Sequence, residues 1–537
     1  MSLAPQPPQQ AAPPVVPAGA AAPWPAWTAS AAWVLGGLAL WLLLTAGIRP
    51  LLLPDEGRYA EVAREMWRGD GLVPLLNGVP FFHKPPLTYW VDMLGMAAFG
   101  VSVFSARLGP ALGAWLMGAA LWFTLRRRNG HRVAGISLLV LATSPFYFIG
   151  GQYANHDMLV AGTISAAVLC FVRALEGGAP VLRWWAWNSP TLRWLIAGWV
   201  FCGLAVLSKG LIGVVLPAIV VGPWLLAQGR WRDLLRLLHP AAVLAGVAVA
   251  LPWMWLMQQR YPDFFDYFII EQHFRRYAGR TFNNVQPWPF YLWVLPLLTL
   301  PWAPWLVASV MRLRRDWASP STSADERRWA GLLVWWAVVV LLFFSLPASK
   351  LVGYVMPALA PICALLAMAF TLPGSTGERW FKPMAVAAAL FCLALVSALA
   401  WVAPKSSRDV AQVLRVQVTP ADLVVFVENS FNDVNFEAGL VQVPLVASQW
   451  DAPDVRQRDS WRKELADTVR FDAPAVAAVL YPVDQLPALV CRGKRVWLLV
   501  THSDQQRAES VPGAVLVLRG KYAQLWRADP QLCPARP

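Results

Sequence analysis

Charged side chains are scarce in this chain of 537 residues, of which only 14% are Asp, Glu, Lys or Arg. A soluble protein carries roughly 25% charged residues. The hydrophobic share is 57% and the mean hydropathy is +0.46. Most side chains must therefore face lipid or one another, which excludes an ordinary soluble enzyme and predicts a multi-spanning membrane protein.

Several other features are missing. The sequence has no glycine-rich nucleotide loop, no internal repeat and no cysteine pair with zinc spacing. The net charge of +14 is not gathered on a soluble domain, so we expect no nucleic-acid partner. Of six cysteines, only Cys491 and Cys533 lie in polar sequence, and they could form a disulfide if that region faces an oxidising compartment.

About eleven apolar segments have the length that a bilayer requires. They predict a mainly α-helical membrane domain over 29–403, after a disordered cytoplasmic tail at 1–28 that is rich in Ala, Pro and Gln. The segments are 29–48, 106–125, 133–150, 158–173, 194–207, 211–227, 240–257, 288–310, 330–346, 354–371 and 383–403.

Basic clusters fall in alternate loops, which the positive-inside rule assigns to the cytoplasm. The N-terminus is then inside, and the other loops face outward together with everything after 404. These outward segments are the large loop 49–105, Asn155-His156-Asp157, Ser208-Lys209-Gly210, the loop 258–287 and Ser349-Lys350-Leu351.

The last region, 404–537, is richer in charge and contains short β-like runs. We expect strands at Leu423–Val427, Val476–Leu480, Val496–Val500 and Ala514–Leu518, with polar helical or loop segments between them. This pattern predicts a C-terminal periplasmic α/β domain.

The first chemical motif is Pro54-Asp55-Glu56-Gly57-Arg58-Tyr59, directly after the first apolar segment. Paired carboxylates at a membrane exit are costly to desolvate unless they serve a cation, a proton or an electropositive substrate centre. The structural alternative is a helix start, with Asp55 as the N-cap and Glu56 in the first turn.

Two outward segments carry cations that suit a phosphate. Lys84 lies among aromatic residues in Phe82-His83-Lys84-Pro85-Pro86, where interfacial snorkelling is the competing explanation. Arg275 and Arg276 follow His273 and form a candidate anion clamp, or else part of an amphipathic surface helix.

Two tight turns complete the set of motifs. Asp157 ends the turn Asn155-His156-Asp157, and Tyr354 ends the segment Ser349 to Tyr354. Ordinary turn chemistry explains each of them alone. All five motifs face the same side, however, which predicts one site for a lipid-linked substrate with its tail in the bilayer and its phosphate at the cations.

The Asp-Glu pair, the Lys-Pro-Pro-Leu-x-Tyr-Trp element and the Ser-Lys-Leu-x-Gly-Tyr turn resemble the aminoarabinose transferases. That family groups with the protein mannosyltransferase-like, GT-C type glycosyltransferases. The resemblance covers roughly residues 30–360. It implies a GT-C fold and inverting, metal-independent transfer of a sugar from polyprenyl phosphate to a periplasmic acceptor.

The resemblance also implies roles for single residues. Asp55 corresponds to the central catalytic acid, with Glu56 in support and Asp157 as a second acid. The residues expected at the donor phosphate are Lys84, Arg275 or preferably Arg276, Tyr354, Arg58 and Tyr59.

One position departs from the family pattern. His83 stands where an acid commonly precedes Lys-Pro-Pro, and in some members that acid holds a structural zinc with a later histidine. No cofactor is expected to be required, and a zinc site at His83 and His273 is an open alternative, although two ligands do not make a site.

The sequence therefore predicts a monomeric glycosyltransferase of the bacterial inner membrane that modifies lipid A or another envelope glycan. Protein O-glycosylation is the alternative within the same enzyme class. A transporter of lipid-linked sugars is disfavoured because the span centres carry almost no charge. A non-catalytic assembly protein is a further alternative.

Overall fold

The computed structural model describes residues 30–176, 190–275, 284–319, 322–371 and 377–530. The predicted cytoplasmic tail 1–28 therefore lies outside the described residues. Helices occupy the chain from Ala31 to Gln417, and a sheet unit with short helices follows. The architecture is mainly α, as the apolar segments predict.

The first half of the helical region contains ten α-helices and a π-helix among the described residues, here numbered α1 to α11. They are α1 (Ala31–Leu43), α2 (Asp55–Arg68), α3 (Leu87–Phe99), α4 (Leu108–Ala142), α5 (Pro145–Gly150), α6 (Asp157–Ala174), α7 (Pro190–Lys209), α8 (Ile212–Ala227), α9 (Trp231–Leu237), α10 (Pro240–Arg260) and the π-helix α11 (Asp266–Arg275). A small hairpin of β1 (Leu75–Leu76) and β2 (Val79–Pro80) lies between α2 and α3.

The second half begins after the gap that ends at residue 283. Its helices are α12 (Phe290–Leu298), α13 (Ala303–Ala318), α14 (Ala324–Ser345), a 3₁₀ segment (Val352–Ala358), α15 (Leu359–Thr371), α16 (Gly377–Val402) and α17 (Arg408–Gln417).

All eleven predicted apolar segments coincide with helices, but fewer helices qualify as candidate membrane spans. Seven described helices are long and apolar enough, or eight if the bent pair formed by α12 and the start of α13 is one span. Helices α1 and α8 are apolar but shorter, and α4 joins two predicted segments across a break at Gly130. The count of eleven crossings stays a prediction.

The C-terminal sheet has six strands in the order β5-β4-β3-β6-β8-β7. They are β3 (Leu423–Val427), β4 (Leu445–Ser448), β5 (Leu480–Pro482), β6 (Val496–Thr501), β7 (Val515–Arg519) and β8 (Ala523–Ala528). The first four are parallel, while β8 pairs antiparallel with β6 and β7.

Short helices connect these strands: α18 (Asn432–Ala438), α19 (Pro453–Gln457), α20 (Trp461–Ala466), α21 (Ala473–Val479) and α22 (Gln505–Glu509). The strand predicted at Val476–Leu480 is wrong, because the run to Val479 is helix α21 and the strand begins at Leu480. Asp472 caps the N-terminus of this helix by accepting a hydrogen bond from the Ala475 amide at 3.0 Å. The apolar run that follows predicts a strand, although Asp472 is a suitable N-cap.

The C-terminal unit packs directly on α2. Gly57 lies so close to the Asp433 backbone in α18 that a Cβ would collide with it. Arg64 and Arg68 of α2 both donate to the Leu440 carbonyl, at 2.9 and 2.6 Å. This contact holds the C-terminal unit over the helix that begins with Asp55.

Candidate active site

Helix α2 begins at Asp55, so this carboxylate stands at the helix entrance. The N-cap residue is Pro54, and Asp55 occupies the first helical position rather than the cap that the sequence allowed. One oxygen accepts from Arg58 Nη2 at 2.6 Å, and 34% of the side chain is exposed. Asp55 is therefore an oriented carboxylate that still reaches open space.

Glu56 has a different environment. Its side chain is fully buried and accepts from Arg49, from Arg107 Nε at 3.1 Å and from the Ala154 amide at 2.9 Å. Burial opposes its ionisation, but the charges of Arg107 and Arg49 outweigh that effect and lower the pKa of Glu56. Glu56 thus fixes the start of α2 against the turn before α6, which is a supporting position.

Asp55 lines a polar cavity of about 390 Å³ between α2, the start of α6 and the C-terminal unit. The cavity brings together five of the predicted site residues, namely Asp55, Arg58, Tyr59, Lys84 and Asp157, and also His83. The other lining residues are Pro54, Asn155, His156, Lys209, Asn284, Leu351, Asp459, Ser460, Trp461 and Glu464.

Asp157 is held at the first position of α6. Asn155 Nδ2 donates to it at 3.1 Å, and the Asn155 side-chain oxygen accepts from the Asp157 amide at 3.0 Å. Lys209, at the end of α7, forms an ion pair with the same carboxylate. The Lys209 ammonium also lies 4.4 Å from the centre of the Tyr354 ring.

An apolar groove of about 410 Å³ begins at this ion pair. It shares Asp157 and Lys209 with the polar cavity. The rest of its lining is almost entirely apolar and consists of Val160, Ile164, Leu211, Ile212, Val215, Leu216, His273, Phe274, Phe343, Phe344, Gly353, Tyr354 and Pro357. A ligand with an apolar chain and a charged head fits this arrangement, with its head beside Lys209.

Lys84 lies in the large outer loop and His156 lies in the turn before α6, and both residues line the polar cavity. Lys84 Nζ donates to the His83 carbonyl at 3.0 Å. His156 packs edge-on against Tyr59 and Tyr89, with ring centres 4.7 and 4.9 Å apart. Burial and the nearby Lys84, Lys209 and Arg58 charges lower the pKa of His156 well below its usual value, so its imidazole is neutral at pH 7.

Only one member of the predicted arginine clamp, Arg275, belongs to the described residues. Arg275 is exposed at the end of α11 and does not line the cavity or the groove. Arg276, the preferred member of the pair, lies outside the described residues. Its role at the donor phosphate stays a prediction.

The sequence motifs missed several residues of this site. Lys209 lies in the break Ser208-Lys209-Gly210, for which the sequence predicts an outward position but no chemical role. Glu464 and Trp461 come from α20 in the C-terminal unit, which carries no recognisable motif. Glu464 forms an ion pair with Arg58 and lies 3.4 Å from His83 Nε2.

His83 and His273 do not fit a zinc site in this arrangement. His273 Nδ1 donates to the Phe268 carbonyl at 2.6 Å, and Nε2 accepts from the Leu211 amide at 3.1 Å, so both ring nitrogens are engaged. His83 lines the polar cavity, whereas His273 lines the apolar groove. Among the described residues, no group of three or more His, Cys, Asp and Glu side chains could hold a metal ion.

Residues 51–268 match the model of the dolichyl-phosphate-mannose-protein mannosyltransferase family. The chain is 35% identical over 365 residues to an undecaprenyl phosphate-alpha-4-amino-4-deoxy-L-arabinose arabinosyl transferase of Sodalis glossinidius, covering 68% of this chain and 63% of that protein. An Edwardsiella ictaluri protein of the same description is 33% identical over 326 residues, covering 59% of this chain and 55% of that protein.

The chain is similar to the aminoarabinose transferases, as its motifs predict. It spans less than two thirds of the length of these curated relatives. The matched family region contains nearly all of the outer loop, the start of α6 and Lys209, and therefore most residues of the polar cavity.

A solved structure establishes the fold. The crystal structure of ArnT from Cupriavidus metallidurans bound to undecaprenyl phosphate has a TM-score of 0.78 with this chain at 23% identity. The match covers 94% of this chain and 100% of that one. The ArnT-like chain therefore has the GT-C architecture that the motifs imply.

Proposed function

We propose that this protein is an inverting glycosyltransferase that transfers a sugar from a polyprenyl-phosphate donor to lipid A or another envelope glycan. The observation that carries the proposal is the junction of the apolar groove with the polar cavity at Asp157 and Lys209. The relatives support it, since their names describe undecaprenyl-phosphate-linked aminoarabinose transfer.

The donor would lie across this junction. Its prenyl chain would occupy the groove between α6, α8 and α14, where burial of apolar surface stabilises binding. Its phosphate would lie near Lys209 and Lys84, the two ammonium groups that line the polar cavity. The sugar would then project toward Asp55.

The chemistry follows from the charges around the cavity. The acceptor oxygen attacks the anomeric carbon from the face opposite the phosphate, and the bond between that carbon and the phosphate oxygen breaks. Lys209 and Lys84 stabilise the negative charge that remains on the polyprenyl phosphate. Asp55 takes the proton of an acceptor hydroxyl, or orients an acceptor that arrives as an ionised phosphate.

The basic loops and Cys491 support a location for the protein in the cell. The cavity lies on the side that the basic loops assign to the exterior, so the proposed location is the bacterial inner membrane with the site facing the periplasm. Cys491 is disulfide-bonded, which suits an oxidising compartment. Its expected partner, Cys533, lies outside the described residues.

A reconstitution assay tests the function. Purified full-length protein is mixed with undecaprenyl-phosphate-linked 4-amino-4-deoxy-arabinose and lipid A, with a chelator present. We expect lipid A to gain the mass of one sugar and undecaprenyl phosphate to be released. Absence of transfer to lipid A and to other envelope glycans, from this donor and from undecaprenyl-phosphate-linked hexoses, would contradict the proposal. Transfer to a peptide instead would assign protein O-glycosylation.

A further inference from the structure

A second and smaller cavity of about 40 Å³ adjoins the candidate active site on the side of the C-terminal unit. The two cavities share Pro54, Arg58, Trp461 and Glu464. A volume of this size admits one or two water molecules or one hydroxyl-bearing group, but not a whole sugar ring. It is therefore a side pocket of the larger cavity.

Four of the residues that line this side pocket have neutral side chains that can form hydrogen bonds. We call Asn77, Asn429, Ser430 and Asn432 the amide pocket. Asn77 is 1% exposed and Asn432 3% exposed. Neither amide atom of Asn77 has a hydrogen-bond partner among the described residues, nor does the side-chain oxygen of Asn432.

Unpartnered buried amides destabilise a fold unless something else satisfies them. Asn77 comes from the β1–β2 turn in the helical region, whereas Asn432 begins α18 in the C-terminal unit. Two separate segments thus contribute buried residues with unsatisfied polar atoms to the lining of one small pocket beside the candidate active site. This is the pattern of a site that a ligand completes.

Sheet topology points to the same place. Strand β3 is central, and it pairs in parallel with β4 on one side and β6 on the other. Open parallel sheets bind ligands outside the carboxyl ends of strands where the strand order reverses. Asn429, Ser430 and Asn432 follow directly after β3 ends at Val427, so the amide pocket lies at such a position.

Trp461 links the amide pocket to the larger cavity because it lines both of them. It is partly exposed and packs edge-on against Trp450, with ring centres 6.0 Å apart. An indole face offers a rigid apolar surface for the C–H face of a sugar ring. Amide groups can donate to and accept from the ring's hydroxyls.

We propose that Trp461 and the amide pocket form the acceptor subsite, which binds a hydroxyl-bearing sugar ring of the acceptor next to Asp55. The inference rests on the proposed function and adds the substrate class for this side of the cavity. The donor is held on the other side, at the junction of Asp157 and Lys209. The four side chains of the amide pocket are neutral and can exchange hydrogen bonds with hydroxyl groups, while Arg58 and Glu464, which line the same side pocket, are paired with each other.

Kinetics of two variants test the subsite. Asn432→Ala and Trp461→Ala should each raise the KM for lipid A about tenfold, with the KM for the undecaprenyl-phosphate sugar unchanged within about twofold. Trp461→Phe should retain most of the affinity, because it keeps an aromatic face. Asn435→Ala is the matched control, since Asn435 is also buried in α18 with an unpartnered oxygen but does not line the pocket.

Direct binding separates failure of the subsite from failure of the proposed function. The Kd of full-length protein for lipid A and for dephosphorylated lipid A is measured without donor, together with the melting temperature of each variant. Asn432→Ala should weaken both ligands by the same factor while Asn435→Ala does not. An unchanged Kd in Asn432→Ala and Trp461→Ala, or equal weakening by Asn435→Ala, overturns the subsite whether or not the wild-type protein transfers a sugar.

Discussion

Arg58 and Glu464 form an ion pair across the boundary between the helical region and the C-terminal unit. The same guanidinium donates to Asp55 at 2.6 Å. Each of the two side chains in the pair is 12% exposed, so water screens their attraction only weakly. The C-terminal unit thereby influences where the candidate catalytic carboxylate stands.

Glu464→Gln should lower kcat about tenfold with little change in the KM for the donor, because Arg58 loses a charged partner and shifts relative to Asp55. The size corresponds to ~1.4 kcal/mol, as expected for a hydrogen bond between charged groups. The measurement is steady-state transfer to lipid A. Glu509→Gln, at an exposed position in α22, is the control and should behave as wild type. A selective rise in donor KM would place Glu464 at the donor instead.

Lys209→Ala should raise the donor KM by about tenfold or more, because it removes a cation from the head of the apolar groove and leaves Asp157 without its ion-pair partner. Kinetics at varied donor concentration measure this effect. Lys405→Ala, at an exposed position in the region after 404 that the sequence also predicts to face outward, is the control and should leave the donor KM unchanged. A normal donor KM in Lys209→Ala would show that the donor phosphate does not bind at this junction.

Gly353→Ala should reduce transfer strongly, since a Cβ at this position would collide with the Asp157 carboxylate. The displaced carboxylate would no longer meet Lys209 in its present geometry. Gly331→Ala is a matched control, because nothing lies within 4 Å of a Cβ placed there. Initial rates of the two variants, at equal membrane expression, provide the comparison. Equal rates would show that the close approach of Gly353 to Asp157 is not required for transfer.

Stability should fall as the pH rises from about 4.5 to about 8. Burial and the neighbouring Glu61 carboxylate raise the pKa of Glu65 from 4.5 to about 8. In this window the folded protein binds more protons than the unfolded chain, so the free energy of unfolding decreases with increasing pH. The contribution is complete below about pH 4.5 and is lost by about pH 8.

Glu65→Gln tests whether the free energy of unfolding decreases with pH because of Glu65, since the substitution replaces the titrating carboxyl with a neutral amide. Arg64 and Arg68 are the nearby cations, and Glu65 itself accepts from the Asn77 and Gly78 amides at 2.8 Å each. Thermal inactivation between pH 5 and pH 8 should show a flatter profile in Glu65→Gln than in the wild type. A profile of equal slope would assign the pH dependence to other groups, such as Asp433, whose pKa burial raises to about 7.

The charges of the loops predict that Asp55, Lys84 and Asp157 face the same side of the membrane. Together with the motifs, this predicts one site for the three residues, and all three line the polar cavity. Tyr354, which is predicted at the donor phosphate, contacts Lys209 and lines the apolar groove but not the polar cavity. The sequence predicts no chemical role for Lys209, because one lysine in a short break has no motif around it.

Glu464 and Trp461 could not have been found from sequence pattern. They belong to α20, a helix of six residues, and reach the site only because α2 packs against α18. Such a contact between distant segments depends on tertiary packing, which local periodicity does not encode. For Glu56 the resemblance already implies a supporting role, and its contacts with Arg49 and Arg107 give a physical basis for that role.

Transfer by Asp55→Asn tests the central claim most directly. The variant keeps the size of the side chain but cannot accept a proton, so kcat for sugar transfer from undecaprenyl phosphate to lipid A should fall by about 10² to 10⁴-fold. Asp263→Asn, at an exposed position in the loop 258–287 that the sequence also predicts to face outward, should retain wild-type activity. Wild-type kcat in a normally expressed Asp55→Asn protein would contradict the assignment of Asp55 as the catalytic carboxylate.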